Sequence, residues 1–215
     1  MREDFGLLGS DKEAGGERLA QRLDRWLPDK ENPLKSRSSY GLFFNAPRDA
    51  LSFEKRIVGF NMAEALTNSK ELLAPLASYI FHAFKSHVDA NRCPHICFID
   101  ETIKYIENEI MYGFIREALA EWRKKNGIFV AAVQDLDMVV NSHNGKDFLG
   151  KFATYLIWRD ASGKEAPYRN ELALTDSEYD WVRTPGPGRE VMIKRKGAGS
   201  IIVNVDLWDC CGICQ

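Results

Sequence analysis

A short apolar run that ends in two adjacent carboxylates constrains this chain more than any other feature. The run covers residues 95–99, and Asp100 and Glu101 follow it directly. In an α/β sheet such a run is typical of a buried parallel strand, whose carboxyl end is where ligands bind. The pattern is typical of a Walker B element, in which the Asp orders a magnesium ion and the Glu polarises the attacking water. The alternative is a strand followed by a helix that starts with acids, because helix N-termini favour negative charge.

Strands alternate with helices along the middle of the chain. Apolar runs predict strands at residues 56–61, 95–99, 128–133 and 153–158. Helical spacing of apolar residues predicts helices at 72–88 and 106–125, the second ended by Gly127. This alternation favours a parallel sheet with right-handed crossovers. The side chains that we expect to be largely buried are Tyr79, Phe84, Ile99, Phe114 and Val130.

The C-terminal part of the chain changes character. Thr175 and Glu178 match a capping box, which opens a helix that runs through Val182. Two short runs, 189–194 and 200–205, flank a turn with two glycines and predict a β-hairpin. The predicted fold class is therefore α/β, a mainly parallel sheet flanked by helices with a C-terminal β-hairpin.

Composition divides the chain into three segments. Residues 1–50 read as an irregular lead-in with an amphipathic helix at 17–27, residues 51–208 as the core, and residues 209–215 as a Cys-rich tail. The C-x-x-C of the tail is half of a zinc site, and an exposed, reduced C-terminus is the alternative. The formal net charge of -2 and the pI near 6.1 give no electrostatic case for nucleic acid, so direct DNA contact stays open.

Three polar features accompany the two carboxylates. Gln134 follows the run 128–133, where it could sense a terminal phosphate or act as a helix cap. Arg123 and Lys124 end the second helix, either as a solvated cationic face or as a finger that reaches a neighbouring subunit's phosphate. Arg189 begins the predicted hairpin, where it could contact nucleotide or face water.

The sequence contains no Gly-x-x-x-x-Gly-Lys-Ser/Thr, the loop whose backbone amides cradle phosphates. A Walker B strand without that loop binds nucleotide poorly. A metal-dependent hydrolase is a weaker alternative, and it requires convergence of four carboxylates, those of Asp100, Glu101, Asp135 and Asp137.

Read in order, several segments resemble the C-terminal half of the type IV secretion and conjugative-transfer ATPases, the VirB four family that includes TrbE and CagE. The resemblance runs over residues 15 to 208. The segments that carry it are RIVGFNMAEAL (56–66), CFIDE (97–101), WRKKNG (122–127), AAVQ (131–134), LTDSE (174–178), PGREVMIK (187–194) and VNVDL (203–207). Each segment is unspecific by itself, and together they are specific.

The resemblance implies a partial RecA-like P-loop NTPase domain of the HerA/FtsK type that uses ATP and Mg²⁺. By residue match, Asp100 and Glu101 are the Walker B pair, with Asp100 toward the metal and the nucleotide, and Gln134 is the sensor. Arg123 or Lys124 is the candidate for the finger that acts in trans, with Arg189 as its competitor. We expect the Walker A strand and loop ahead of Met1, which leaves autonomous ATP hydrolysis in doubt.

The same resemblance implies a place in the cell. It predicts a cytoplasmic protein, peripheral at the bacterial inner membrane through its partners, the other type IV secretion system proteins. In the full-length protein we expect a homo-oligomer, a hexamer, that couples ATP hydrolysis to substrate transport or pilus biogenesis. The alternative is a non-catalytic docking module of the secretion apparatus that retains the ATPase fold.

Overall fold

The computed structural model describes Trp26, Phe44 and residues 48–49, 51–62, 70–186 and 188–205, and the chain divides into two compact units, residues 1–60 and 61–215. In the first unit, the rings of Trp26 and Phe44 meet edge to face with centroids 5.6 Å apart. The predicted helix at 17–27, apart from Trp26, and the tail at 209–215 lie outside the described residues. The predicted boundaries at 50 and 208 stay predictions.

The strand predicted at residues 56–61 is wrong, because the chain there has no regular structure. Ile57 is 89% exposed, so the apolar run is not buried. An apolar run becomes a strand only where a neighbouring strand pairs with its backbone, and the described residues provide no such partner for this run.

The second unit contains all the described strands. Its elements in chain order are α1 (Lys70–Asn91), β1 (His95–Ile99), α2 (Ile103–Ile106), α3 (Glu109–Glu121), a 3₁₀-helix (Trp122–Lys125), β2 (Gly127–Ala131), α4 (Leu136–Asn141), α5 (Gly145–Gly150), β3 (Thr154–Ile157), a π-helical turn (Pro167–Glu171), α6 (Asp176–Arg183), β4 (Glu190–Arg195) and β5 (Ser200–Asn204). Within the described ranges, no helix has the length and apolarity that a membrane crossing demands.

The strands form two sheets. β1 and β2 pair in parallel, with His95 opposite Gly127 and Ile99 opposite Ala131. β3, β4 and β5 form an antiparallel sheet in that order, and Ile157 lies opposite Met192. The expectation of a mainly parallel sheet is therefore wrong: the run at 153–158 is a strand, but its partner is antiparallel. An apolar run predicts a strand and carries no information on the direction of its partner.

The core lies between α1, α3, the sheets and α6. Ile99 is buried as predicted, whereas Phe84, Phe114 and Val130 are half-buried and Tyr79 is 37% exposed. The predicted helix at 106–125 is broken before α3. Asn108 caps α3, since its side-chain oxygen accepts hydrogen bonds from the backbone N–H groups of Ile110 and Met111, each at 3.1 Å.

The buried face of α3 also differs from the predicted one, because apolar residues lie on more than one face of this helix and tertiary packing decides which of them are buried. The buried residues of α3 are Met111, Tyr112, Ile115 and Ala118, while Ile110 is 61% exposed. Asn126, with a φ of +56°, ends the 3₁₀-helix in the left-handed conformation that Gly127 was expected to supply. Gly127 instead opens β2 beneath the ring of His95, whose Nε2 would lie 2.3 Å from an added Cβ.

Candidate functional site

The predicted site residues Asp100 and Gln134 follow neighbouring parallel strands. Because Ile99 pairs with Ala131, Asp100 lies opposite Ala132, and Gln134 comes two residues later. Both side chains are exposed. The structure therefore places Asp100 and Gln134 at the carboxyl edge of the β1–β2 pair, where parallel sheets bind ligands.

A tight turn connects β1 to α2 at this edge. Glu101 has a φ of +48°, a left-handed conformation that is uncommon for a residue other than glycine. The backbone N–H of Glu101 donates to Oδ1 of Asp100 at 2.8 Å. Thr102 is completely buried, and its hydroxyl donates to the carbonyl oxygen of Ile99 at 2.9 Å. Neither acid lies in the first turn of α2, so the pair does not start that helix.

The carboxylate of Glu101 has one charged partner among the described residues. The ammonium group of Lys104, three residues further along, forms an ion pair with it. Their side chains are 38% and 44% exposed. An exposed pair of this kind contributes little to stability and is readily exchanged for other contacts.

Gln134 lies directly before α4 and is not its cap. Asp135 caps α4, because its Oδ1 accepts from the N–H groups of Asp137 at 2.8 Å and Met138 at 3.2 Å. Gln134 lines a cavity of about 210 Å³ together with Asp135, Asp137, Asp160, Lys164 and Tyr168. The lining does not include Asp100 or Glu101, so this cavity lies beside the carboxylate pair and does not enclose it.

Sequence reasoning missed the polar residues on the other side of this cavity. Asp160 accepts from the hydroxyl of Ser162 at 2.7 Å and from that of Tyr168 at 3.0 Å. The bond from Ser162 is the main cause that lowers the pKa of Asp160, while burial and the bond to Asp160 raise the pKa of Tyr168. The signal was present, because Asp160 follows the run 153–158 as Asp100 follows β1.

Two of the predicted basic residues, Arg123 and Lys124, do not lie at this edge. Arg123 and Lys124 belong to the 3₁₀-helix that leads into the amino end of β2, and β2 spans about 16 Å at 3.3 Å per residue. Both are exposed and form no ion pair with another described residue. Arg189 lies one residue before β4, in the other sheet, and its carbonyl oxygen accepts from the N–H of Val205 at 2.7 Å.

The side chains at this edge suit the binding of one hard cation, and they do not form a cluster of several carboxylates. No three His, Cys, Asp or Glu side chains in the described part of the chain converge as metal ligands, so the cluster of a metal-dependent hydrolase does not form. Mg²⁺ is commonly bound through one or two carboxylates with waters and substrate phosphates. Asp100 fits that role, because the backbone N–H of Glu101 holds its carboxylate in place through Oδ1 and the side chain is exposed.

Fold and site together define a mixed α/β protein with a carboxylate pair and an amide at the carboxyl edge of a parallel strand pair. No protein-family model matches the chain. It is similar to the type IV secretion system protein virB4 of Bartonella henselae, with 27% identity over 193 residues, covering 89% of this chain and 23% of that protein. For virB4 of Brucella abortus the identity is 24% over 200 residues, covering 93% and 24%.

Two further similarities agree with these. Protein virB4 of Agrobacterium tumefaciens is 27% identical over 209 residues, which covers 96% of this chain and 24% of that protein. The solved structure of VirB4 of Thermoanaerobacter pseudethanolicus matches with a TM-score of 0.54 and 13% identity, covering 66% of this chain and 39% of that chain. The resemblance to VirB4 proteins of type IV secretion systems is thus confirmed, and the chain spans about a quarter of the length of these curated relatives.

Proposed function

We propose that this chain carries the Walker B and sensor residues of a type IV secretion ATPase. One observation carries the proposal: Asp100, Glu101 and Gln134 follow two adjacent, parallel, in-register strands. Similarity to virB4 proteins over about nine tenths of the chain supports it. The proposed domain is of the RecA-like type, a finer class than the mixed α/β fold described above.

Each residue at the edge has a proposed role. Asp100 holds Mg²⁺ through its exposed carboxylate, and Mg²⁺ when bound offsets the negative charge of the ATP phosphates. Glu101 orients and polarises the attacking water. For this its carboxylate releases the ion pair with Lys104 and accepts a hydrogen bond from the water instead. Gln134 donates a hydrogen bond from its amide to the terminal phosphate or to the water.

The cationic contribution is proposed to come from a second subunit. Arg123 and Lys124 lie beyond reach of Asp100 within one chain, because they precede the amino end of β2. Such a position is compatible with a finger that acts in trans in a homo-oligomer, the hexamer that the family resemblance implies. Arg189 is the competing candidate for contact with the nucleotide.

The proposed cellular role follows from the similarity to virB4. The ATPase would couple hydrolysis to substrate transport or pilus biogenesis, together with other type IV secretion system proteins. Its proposed location is the cytoplasmic face of the bacterial inner membrane, held there through those partners.

The test is nucleotide binding and hydrolysis by this chain and by a longer polypeptide in which a Walker A segment is supplied ahead of Met1. The 215-residue sequence has no Gly-x-x-x-x-Gly-Lys-Ser/Thr. Positioning and electrostatics supply most of the rate in phosphoryl transfer, so we expect weak binding and negligible hydrolysis by the chain alone. The longer polypeptide should hydrolyse ATP.

Substitutions in the longer polypeptide assign the roles. Glu101→Gln should abolish hydrolysis and spare binding, and Asp100→Ala should weaken the magnesium-dependent part of binding. The matched control is Glu107→Gln, which alters an exposed glutamate at the end of α2. ATPase activity of the 215-residue chain that survives Glu101→Gln would show that the chemistry is assigned to the wrong strand.

A docking module is the second candidate function, and one observation favours it. Ile96, Phe98 and Ile128 are 67%, 63% and 56% exposed, and they share one face of the β1–β2 pair. Contiguous exposed apolar side chains often mark interaction sites. Secretion activity that persists in cells carrying the Glu101→Gln variant would favour docking over hydrolysis.

A further inference from the structure

Thr102 is a buried polar residue next to the proposed catalytic glutamate. Its side chain is completely shielded from solvent, which is unusual for threonine. Buried hydroxyl groups are retained where they make a hydrogen bond, and this one donates to the carbonyl oxygen of Ile99, three residues earlier, at 2.9 Å. The bond spans only Asp100 and Glu101, the Walker B pair.

The same residue is bonded across to β2. The N–H of Thr102 donates to the carbonyl oxygen of Ala132 at 3.1 Å, and the N–H of Ala132 donates to the carbonyl oxygen of Ile99 at 2.9 Å. The carbonyl of Ile99 therefore accepts both from the Thr102 hydroxyl and from β2. These three hydrogen bonds join the last residue of β1, the end of the turn and the backbone two residues before Gln134.

We propose that Thr102 is a positioning residue that sets the direction of the Glu101 carboxylate and its spacing from Gln134. The inference rests on the proposed function, because it gives Thr102 a part in the same reaction. With both ends of the turn fixed, Glu101 is held at a φ of +48°. Backbone conformations of this kind cost free energy and persist only where the surroundings impose them.

Loss of the hydroxyl should therefore act on catalysis more than on binding. Without that hydrogen bond the turn can relax toward the common negative φ, which rotates the direction in which the Glu101 side chain leaves the backbone. Substrate affinity comes from other groups, so KM should change by less than about twofold, while misplacement of a catalytic group by about 1 Å lowers kcat about 10²-fold.

The experiment compares variants in the longer, hydrolysing polypeptide. Thr102→Val keeps the shape and removes the hydroxyl, and Thr102→Ser keeps the hydroxyl. We expect the kcat loss in Thr102→Val and recovery to within about threefold in Thr102→Ser, since only the latter preserves the positioning bond. Should Thr102→Val not fold, Thr102→Ala is compared with Thr102→Ser instead. Alanine and serine differ only by the hydroxyl group, so this comparison also isolates the hydrogen bond.

A control removes a hydrogen bond of the same kind, from a threonine hydroxyl to a backbone carbonyl, at an exposed position elsewhere. The hydroxyl of Thr184 donates to the carbonyl oxygen of Asp180 at 2.7 Å, at the end of α6. Thr184→Val should leave kcat and KM unchanged. A kcat for Thr102→Val equal to that of the parent would overturn the positioning role and leave the proposed function intact.

Hydrogen exchange on the 215-residue chain tests the geometry without any hydrolysis. We expect the N–H groups of Thr102 and Ala132 to exchange at least about tenfold faster in Thr102→Val, with protection retained in Thr102→Ser. Unchanged exchange in Thr102→Val overturns the inference. If the longer polypeptide without substitutions does not hydrolyse ATP, both the proposed function and this inference fail, even where the exchange result shows that the hydrogen bonds of Thr102 and Ala132 are formed.

Discussion

The antiparallel sheet and the parallel strand pair differ in how they hold their charged groups. In the antiparallel region, Lys194 donates to both carboxylate oxygens of Glu178, at 2.9 and 2.8 Å, and their side chains are only 9% and 11% exposed. In the parallel pair the apolar side chains of Ile96, Phe98 and Ile128 are exposed, and the proposed catalytic groups lie at its edge.

The difference shows where each region obtains its order. The antiparallel region has specific bonds inside: Arg159 donates to the carbonyl oxygens of Trp181 and Thr184 and pairs with Glu190 at 2.6 Å. The parallel pair has strain at Glu101 and an open apolar face. A region that binds a ligand or a partner keeps groups accessible, whereas a supporting region can satisfy its groups internally.

The largest expected effect is removal of the buried ion pair. Lys194→Met keeps the length of the side chain and leaves the Glu178 carboxylate buried without its cation. Breaking such a pair costs about 4 kcal/mol in the free energy of unfolding, measured by urea denaturation. Lys196→Met is the control, because Lys196 is exposed and its ammonium group donates to a backbone carbonyl, that of Gly150, and not to a buried carboxylate. A loss below about 1 kcal/mol in Lys194→Met would mean that the pair is solvated in solution.

The second effect is a pH dependence of stability. Burial alone raises the pKa of Glu178, but hydrogen bonds from Lys194, Ser200 and the Thr175 N–H outweigh it and bring the pKa to about 2, against an ordinary 4.5. Because the folded pKa is depressed, this stability is present above about pH 4.5 and is lost as the pH falls toward about 2.

Urea midpoints measured between about pH 5 and about pH 2 test this dependence. Glu178→Gln should remove at most about 3 kcal/mol of the acid-induced loss. Glu117→Gln is the control, since Glu117 forms an exposed pair with Lys85 and should leave the slope unchanged. Equal slopes for the parent and Glu178→Gln would contradict the depressed pKa.

The third effect concerns the amino end of the parallel pair. In Gly127→Ala the added Cβ would meet His95 Nε2 at 2.3 Å and the Trp122 Cβ at 2.8 Å, so we expect a loss of about 2 kcal/mol in the free energy of unfolding. The same substitution at Gly113, inside α3 with no atom within 4 Å of an added Cβ, should instead stabilise by about 0.5 kcal/mol. Thermal unfolding of both variants should therefore show shifts of opposite sign.

The sequence predicted those features of the fold that depend on residues close together in the chain. The capping box of α6 forms as expected, with the Thr175 N–H donating to Glu178 at 2.8 Å, because both partners lie within one turn. The helix at 106–125 was mispredicted as continuous, because the cap at Asn108 starts α3 separately from α2. The direction of β3 was mispredicted because strand direction is decided by pairing with β4, far along the chain.

The candidate site shows the same division. Asp100 and Gln134 were placed at one edge correctly, because a parallel pair carries its strand ends to the same side. Asp160 was missed although it follows the run 153–158 and Ser162 lies only two residues later; its contact with Tyr168 depends on the π-helical turn at Pro167–Glu171, which no pattern predicted. The left-handed conformation of Glu101 follows from bonds between β1, Thr102 and β2, which no local pattern encodes.

The smallest expected effect on stability is on the open apolar face. Replacing both Phe98 and Ile128 by Thr should change the free energy of unfolding by less than about 0.5 kcal/mol, because these side chains are 63% and 56% exposed. It should nevertheless lower self-association of the chain, measured by sedimentation velocity, since contiguous apolar patches promote association.

Ile110→Thr is the control for this face. Ile110 is 61% exposed, and it is the one large apolar side chain of α3 that is exposed, so it forms no apolar patch with another residue of that helix. We expect no change in self-association for Ile110→Thr. Equal effects from both substitutions would mean that exposure alone governs association, and the shared face of Ile96, Phe98 and Ile128 would then have no consequence for partner binding.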